Sequence, residues 1–260
     1  MQIGLFGDSF CCENSGYIKN LENHYGAKIV SLGQSASSIW DLYLNQFKEL
    51  KSHPDVCIFI WTSPGKIYHK KHRNLNRGSV WESKLTKIHP VWRAAKQYYD
   101  HLSDHAKEEL EYISFLHYFD NVILSQLPGT TKIIHLWSFG KIERFSEEQF
   151  EPSTSKFYYR WTNGVEVRPA LASVSLIASN LEEMAGVSNH LDGYWKNKIV
   201  FEIIKDAIDN YSNGKLIDNT TMISEHWDKY RGQVIKPRPL VKRIVSKILG
   251  TDNDDPFIYI

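Results

Sequence analysis

The run Val56-Cys57-Ile58-Phe59-Ile60-Trp61 restricts the fold more than any other feature of the chain. It is short, wholly apolar, and bounded by His53-Pro54 on one side and Ser63-Pro64 on the other. That is the pattern of a strand buried on both faces, which occurs in parallel sheets covered by helices. The flanking chain agrees. Gln2 to Phe6 reads as a strand ending at Gly7, and Tyr17 to Tyr25 as a helix stopped by Gly26. Lys28 to Leu32 reads as a second strand, ending at Gly33. Ser37 and Ser38 can cap a helix running to about Lys51, with Ile39, Leu42, Tyr43 and Phe47 on one side. Thr131 to Trp137 reads as a fourth strand. Alternating strands and helices predict an α/β fold, a three-layer α/β/α sandwich around a mainly parallel sheet of about five strands.

Between Pro64 and His89 the pattern loosens and turns basic, through Lys66, His69, Lys70, Lys71, His72, Arg73 and Arg77. Such a stretch is either a solvated loop or a lid that reads an anion. Pro90 to about Leu127 is helical, with a break near Ser103, so residues of about 64–128 form a helical insertion. Gly140 to Gly164 shows no clear period, Pro169 to about Ala185 reads as helical, and Tyr194 to about Tyr211 is an amphipathic helix. The main domain is therefore expected over 1–212. A C-terminal appendage follows over 213–260, in which Lys236, Arg238, Lys242, Arg243 and Lys247 precede an acidic tail.

Composition narrows the partners. Lys plus Arg is 31 and Asp plus Glu is 30 in 260 residues, a net charge of 31 − 30 = +1, so no basic field favours nucleic acid. No stretch approaches the roughly 18 apolar residues of a membrane span, and no membrane partner is expected. Three cysteines, Cys11, Cys12 and Cys57, and no basic leader before the first strand predict a reducing, cytoplasmic setting. No Gly-rich phosphate loop or dinucleotide fingerprint is present, and His69 and His72 lack acid or thiolate neighbours at metal-site spacing. No cofactor and no metal are expected.

The chemistry sits at the end of the first strand, in Gly7-Asp8-Ser9-Phe10. A serine there lies on the carboxyl edge of the sheet, where open α/β folds bind ligands. A serine hydroxyl is a poor nucleophile without a positioned base. The best base is His190, in the turn sequence Ser188-Asn189-His190-Leu191-Asp192-Gly193 before the last helix of the main domain.

This combination resembles the SGNH (GDSL) hydrolase family. Gly7-Asp8-Ser9-Phe10 is similar to that family's first block, Ser31-Leu32-Gly33-Gln34-Ser35 to its second, and His190-Leu191 to its last, over about residues 1 to 210. The resemblance implies that Ser9 attacks an ester and His190 acts as base. It implies an oxyanion hole from the Ser9 and Gly33 amides plus a group after the third strand. Two positions depart from the family. Ser63 stands where an asparagine is expected, and Val187 where an aspartate should precede the histidine by three residues. A hydroxyl at Ser63 can still donate, and Asp192 is the nearest carboxylate to His190 in sequence. Asp8 and Thr62 are expected to support the site.

The expected activity is hydrolysis of a small-molecule or carbohydrate ester, such as an O-acetyl group on a sugar. The eight Trp and fourteen Tyr could stack on such rings. Two alternatives stand beside it. One is a catalytically inactive SGNH-fold protein that binds a ligand or partner; the other is an acyltransferase using the same Ser9 and His190.

Overall fold

Six strands form one sheet in the computed structural model, which describes residues 1–12, 16–72, 75–138, 159–168, 170–171, 174, 194–219, 236–237 and 257–258. They are β1 (Gln2–Gly7), β2 (Lys28–Ser31), β3 (Val56–Trp61), β4 (Lys132–Trp137), β5 (Val165–Arg168) and β6 (Leu216–Asp218). The spatial order is β2-β1-β3-β4-β5-β6, and every neighbouring pair is parallel. This is an α/β fold with the doubly wound, flavodoxin-like order across its first five strands. The order reverses between β1 and β3, which makes their carboxyl ends the crevice where ligands bind in such sheets.

The α-helices bounded among the described residues are α1 (Gly16–Tyr25), the short α2 (Ile39–Asp41), α3 (Arg77–Glu82), α4 (Leu85–Ile88), α5 (Pro90–His101), α6 (His105–Tyr118) and α7 (Tyr194–Asp209). Alternate residues of each strand feed two different cores. Ile3 and Leu5 of β1, Ile58 and Ile60 of β3 and Leu136 of β4 pack with Tyr17 and Leu21 of α1 and Ile199 and Ile203 of α7. Phe6, Cys57, Phe59 and Trp61 belong to the other cluster, with Leu42, Phe47, Phe115 and Phe119. Each such side chain taken fully from water contributes roughly 1.5–3 kcal/mol, so β3, buried at all six positions, anchors both cores.

Local signals fix the element ends. Gly26 stops α1 with φ +58°, a left-handed conformation that glycine adopts at no cost. Pro90 opens α5, where its missing N–H is not needed. Asp104 caps α6 by accepting from the Ala106 and Lys107 amides at 2.8 and 3.0 Å.

Several elements differ from the sequence reading. The helix expected from Ser38 to Lys51 is three kinds of turn in succession: α2, a π turn over Leu42–Gln46 and a 3-10 turn over Phe47–Ser52. Its start is as expected, since Ser38 and Asp41 form a reciprocal capping box. The wider turn ends at Gln46, whose side chain is drawn into the site described below. The sheet has six strands. β5 is short, and β6 lies inside the stretch read as appendage yet pairs with β5. The loose stretch after β3 contains α3 and α4. Lys236–Pro237 and Phe257–Ile258 form a two-residue antiparallel pair, β7 and β8. The helix expected over Pro169 to Ala185 falls mostly outside the described residues.

Candidate active site

Gly7 closes β1 beside Ile60 of β3. A Cβ on Gly7 would lie 2.6 Å from the Ile60 carbonyl oxygen and 2.9 Å from Cys11 Sγ, so only glycine lets the chain turn this close to its neighbour. Gln46 holds the turn from the side. Its Oε1 accepts from the Gly7 N–H at 2.8 Å, and its Nε2 donates to the Gly7 carbonyl at 2.9 Å. The side-chain amide thereby satisfies both backbone groups of one residue, as a pairing strand would.

Asp8 and Ser9 follow. Asp8 is 1% exposed. Its Oδ1 accepts from the Phe10 N–H at 3.2 Å, which caps the 3-10 turn Ser9–Cys11, and from Ser138 Oγ at 3.0 Å. Ser138 directly follows β4, so the ends of β1 and β4 meet at this carboxylate across the intervening β3. Lys66 Nζ lies 3.5 Å from Asp8 Oδ2. Ser9 is half-buried at the start of the turn, and among the described residues nothing hydrogen-bonds its hydroxyl.

The other expected site residues gather at the same edge. A Cβ on Gly33 would lie 2.0 Å from Cys11 Sγ and 3.1 Å from the Asp8 carbonyl oxygen, so the loop after β2 is pressed against the Ser9 turn. The Gly33 N–H donates to the Cys11 carbonyl at 3.0 Å, and the Gln34 N–H donates to the Gly7 carbonyl at 3.1 Å. Thr62 is buried, its hydroxyl has no partner among the described residues, and its carbonyl accepts from Tyr112 Oη. Ser63 is half-buried on the wall of a cavity of about 420 Å³.

His190 and Asp192, with Val187, lie outside the described residues. The chain just beyond them does not. α7 begins four residues after His190, and Asn197 in its first turn accepts from the Tyr17 N–H at 2.9 Å. Tyr17 Oη in turn donates to the Phe10 carbonyl at 2.9 Å. The start of α7, the start of α1 and the Ser9 turn are therefore joined in series.

Three contributors escaped the sequence reading: Gln46, Ser138 and the pairing of Lys66 with Asp8. Ser138 carried a usable signal, being the first polar residue after β4. Lys66 stood in the basic stretch but without a stated partner. Gln46 carried none. Neither buried thiol has nucleophilic character. Burial first, then the charge of Asp8, pushes Cys11 well above the usual thiol range, and burial pushes Cys57 up to about 12. Among the described residues no group of three or more His, Cys, Asp or Glu could hold a metal ion. No helix among them is long and apolar enough to cross a membrane. No family model matches the chain, and no curated protein or solved structure matches it either.

Proposed function

We propose that the chain is a serine hydrolase with an SGNH-like α/β/α sandwich, acting on an ester through Ser9 and His190. One observation carries this reading: the strand order puts Ser9 at the crevice between β1 and β3, half-buried and unpartnered among the described residues, on a turn braced by Asp8. The series of bonds from Asn197 through Tyr17 to Phe10 supports it, because it ties the start of α7, which follows His190 by four residues in sequence, to that turn.

In this mechanism Ser9 Oγ attacks the acyl carbon while His190 takes its proton. The carbonyl oxygen becomes an oxyanion that accepts from the Ser9 amide and the Ser63 hydroxyl. The C–O bond to the alcohol breaks, and His190 returns the proton to the leaving oxygen. Water, deprotonated by His190, then releases the acid and restores Ser9. The Gly33 amide is committed to the Cys11 carbonyl, so it joins the oxyanion hole only when that bond opens. Losing one such donor costs about 3–4 kcal/mol in the transition state, so the reading implies a slow enzyme. Asp192 is the proposed acid that orients His190.

Incubation with a fluorophosphonate probe and short-chain aryl esters tests the proposal. Labelling of the wild type that disappears in Ser9→Ala, with ester turnover lost in Ser9→Ala and His190→Ala, is the expected result. A second reading is favoured by one fact: the Gly33 amide is already occupied. An inactive SGNH-fold binder would be unlabelled and silent while giving the circular dichroism of a folded α/β protein.

A further inference from the structure

Glu108 of α6 is a buried charge that the hydrolase reading leaves unused. It is 8% exposed, and its Oε1 accepts from Ser103 Oγ at 2.6 Å. Arg77 reaches it only at second hand, by donating to that same hydroxyl. Among the described residues its Oε2 has no hydrogen-bond partner, and no Lys, Arg or His pairs with the carboxylate. A Cβ on Gly65 would lie 2.6 Å from that oxygen, so glycine keeps the space beside it open. Carboxylates are rarely taken this far from water without a counter-charge.

Glu108 lines the cavity of about 420 Å³ that has Ser63 on its wall, a volume within the roughly 300–1,000 Å³ that small-molecule sites occupy. Four aromatic side chains line it too: Trp40, Tyr68, Tyr98 and Tyr112. Tyr112 is 1% exposed and its hydroxyl donates to the Thr62 carbonyl, so its ring is what remains to face a ligand. Aromatic faces are the negative part of the ring and attract cations. Glu111 adds a second, largely exposed carboxylate, 3.6 Å from Lys107 Nζ. The basic residues on the wall are engaged elsewhere. Lys66 stands 3.5 Å from the Asp8 carboxylate and donates to the Ser37 carbonyl at 3.3 Å. His69 Nδ1 accepts from the Lys71 and His72 amides, both at 3.1 Å, so that nitrogen carries no proton.

We propose that this cavity binds an organic cation, a protonated primary amine carried on a small aromatic or apolar body. The ammonium donates to Glu108 Oε2 and supplies the counter-charge that the carboxylate lacks. An N–H donor satisfies that oxygen directly, which a quaternary ammonium cannot. The aromatic side chains hold the body of the ligand and add their own attraction for the charge. The site stands apart from the hydrolase reading, because no residue of the Ser9 turn or the Gly33 loop lines the cavity. Lys66, on the cavity wall and beside Asp8, links the two.

Saturation-transfer NMR titrations at neutral pH with phenethylamine, 2-phenylethanol and phenylacetate test the proposal, since the three share one body and differ in charge. Phenethylamine should bind at least about tenfold more tightly than the alcohol, and phenylacetate most weakly. Glu108→Gln keeps the size and can keep the Ser103 bond while removing the charge. It should weaken phenethylamine at least about tenfold and leave 2-phenylethanol unchanged. Glu111→Gln, at an exposed and screened position, should change the amine's Kd less than about threefold. Trp40 is 46% exposed, and Trp40→Leu should weaken the amine about fivefold. Circular dichroism checks that each variant is folded, and if Glu108→Gln is not, the three-ligand series and Trp40→Leu decide. Equal binding of amine and alcohol, tighter binding of phenylacetate that Lys66→Met abolishes, an unchanged Kd in folded Glu108→Gln, or no binding of phenethylamine at about 10 mM overturns the proposal.

Discussion

Lys66 Nζ stands 3.5 Å from Asp8 Oδ2, with the two side chains 11% and 1% exposed. The pair spans from the loop after β3 to the turn that presents Ser9. Asp8 Oδ2 has no hydrogen-bond partner among the described residues, so the ammonium is what balances its charge there. Removing one member of a buried pair leaves the other uncompensated, at a cost of about 3–5 kcal/mol. Lys66→Met is expected to lose stability in that range by urea unfolding, and Lys66→Arg clearly less. Equal losses in the two variants would show that the stem of Lys66, not its charge, matters.

Gln46 poses a different test, because its partners are backbone atoms. Gln46→Leu keeps the volume and strips the Gly7 N–H of its partner, while the Gly7 carbonyl keeps the Gln34 N–H at 3.1 Å. A buried group left unsatisfied costs about 1–3 kcal/mol, so a loss of that order is expected. The same variant should slow fluorophosphonate labelling of Ser9, since the clamped residue stands two before it. Labelling at the wild-type rate in a destabilised Gln46→Leu would separate the clamp from the site.

The alternation of apolar runs and helices was enough to read the first four strands, because each run is either flanked by Gly or Pro or long enough to stand out. β5 and β6 were not legible. Val165–Arg168 offers only two apolar residues at alternate positions, and Leu216–Asp218 is a three-residue edge strand in which only Ile217 is partly buried. Pairing with an existing sheet, not local preference, makes them strands. At the site, Gly7, Asp8, Ser9 and Gly33 were legible because tight turns restrict residue type locally. Lys66 and Gln46 were not, because a bond to Asp8 or Gly7 spans 58 or 39 residues and leaves no periodic trace. The helix capped by Ser37 and Ser38 and running to about Lys51 misled for the same reason: local spacing favoured a plain α-helix, and the long-range bond from Gln46 to Gly7 accompanies a π turn instead.

Gly33 and Cys11 are coupled by space. A Cβ on Gly33 would fall 2.0 Å from Cys11 Sγ, with the Gly7 and Asp8 carbonyl oxygens at 2.9 and 3.1 Å. Gly33→Ala therefore has to push the Ser9 turn away, and a loss of about 3 kcal/mol is expected. Cys11→Ala removes the nearest of the three atoms. In a double-mutant cycle the pair should recover at least about 1 kcal/mol over additivity, with the two carbonyls accounting for what remains. Strict additivity would mean that the sulfur gives way freely and that the backbone alone excludes a side chain at Gly33.

His135 makes the stability of the fold depend on acid. It is fully buried on β4, stacked on Trp161 with ring centroids 3.7 Å apart. An indole N–H can only donate, so the 3.1 Å bond from Trp61 Nε1 makes His135 Nδ1 an acceptor. The proton is then on Nε2, facing the Asn163 carbonyl at 2.8 Å. Burial holds this neutral form and lowers the pKa to about 3, against the weaker raising effects of the Asn163 bond and the Asp120 charge. The unfolded chain takes up the proton near pH 6.5, whereas the folded chain does so only near 3. Between those values the unfolded state binds more protons at this residue, so its contribution to stability falls as pH is lowered, by at most about 1.4 kcal/mol per pH unit. Glu166, which burial raises to about 8, works in the opposite sense in both wild type and variant. His135→Gln can keep both hydrogen bonds and does not titrate. Urea midpoints measured from pH 7.5 to 4.5 should drop more steeply in the wild type than in His135→Gln, and the difference should open below pH 6.5. Parallel curves would assign the acid loss to other groups.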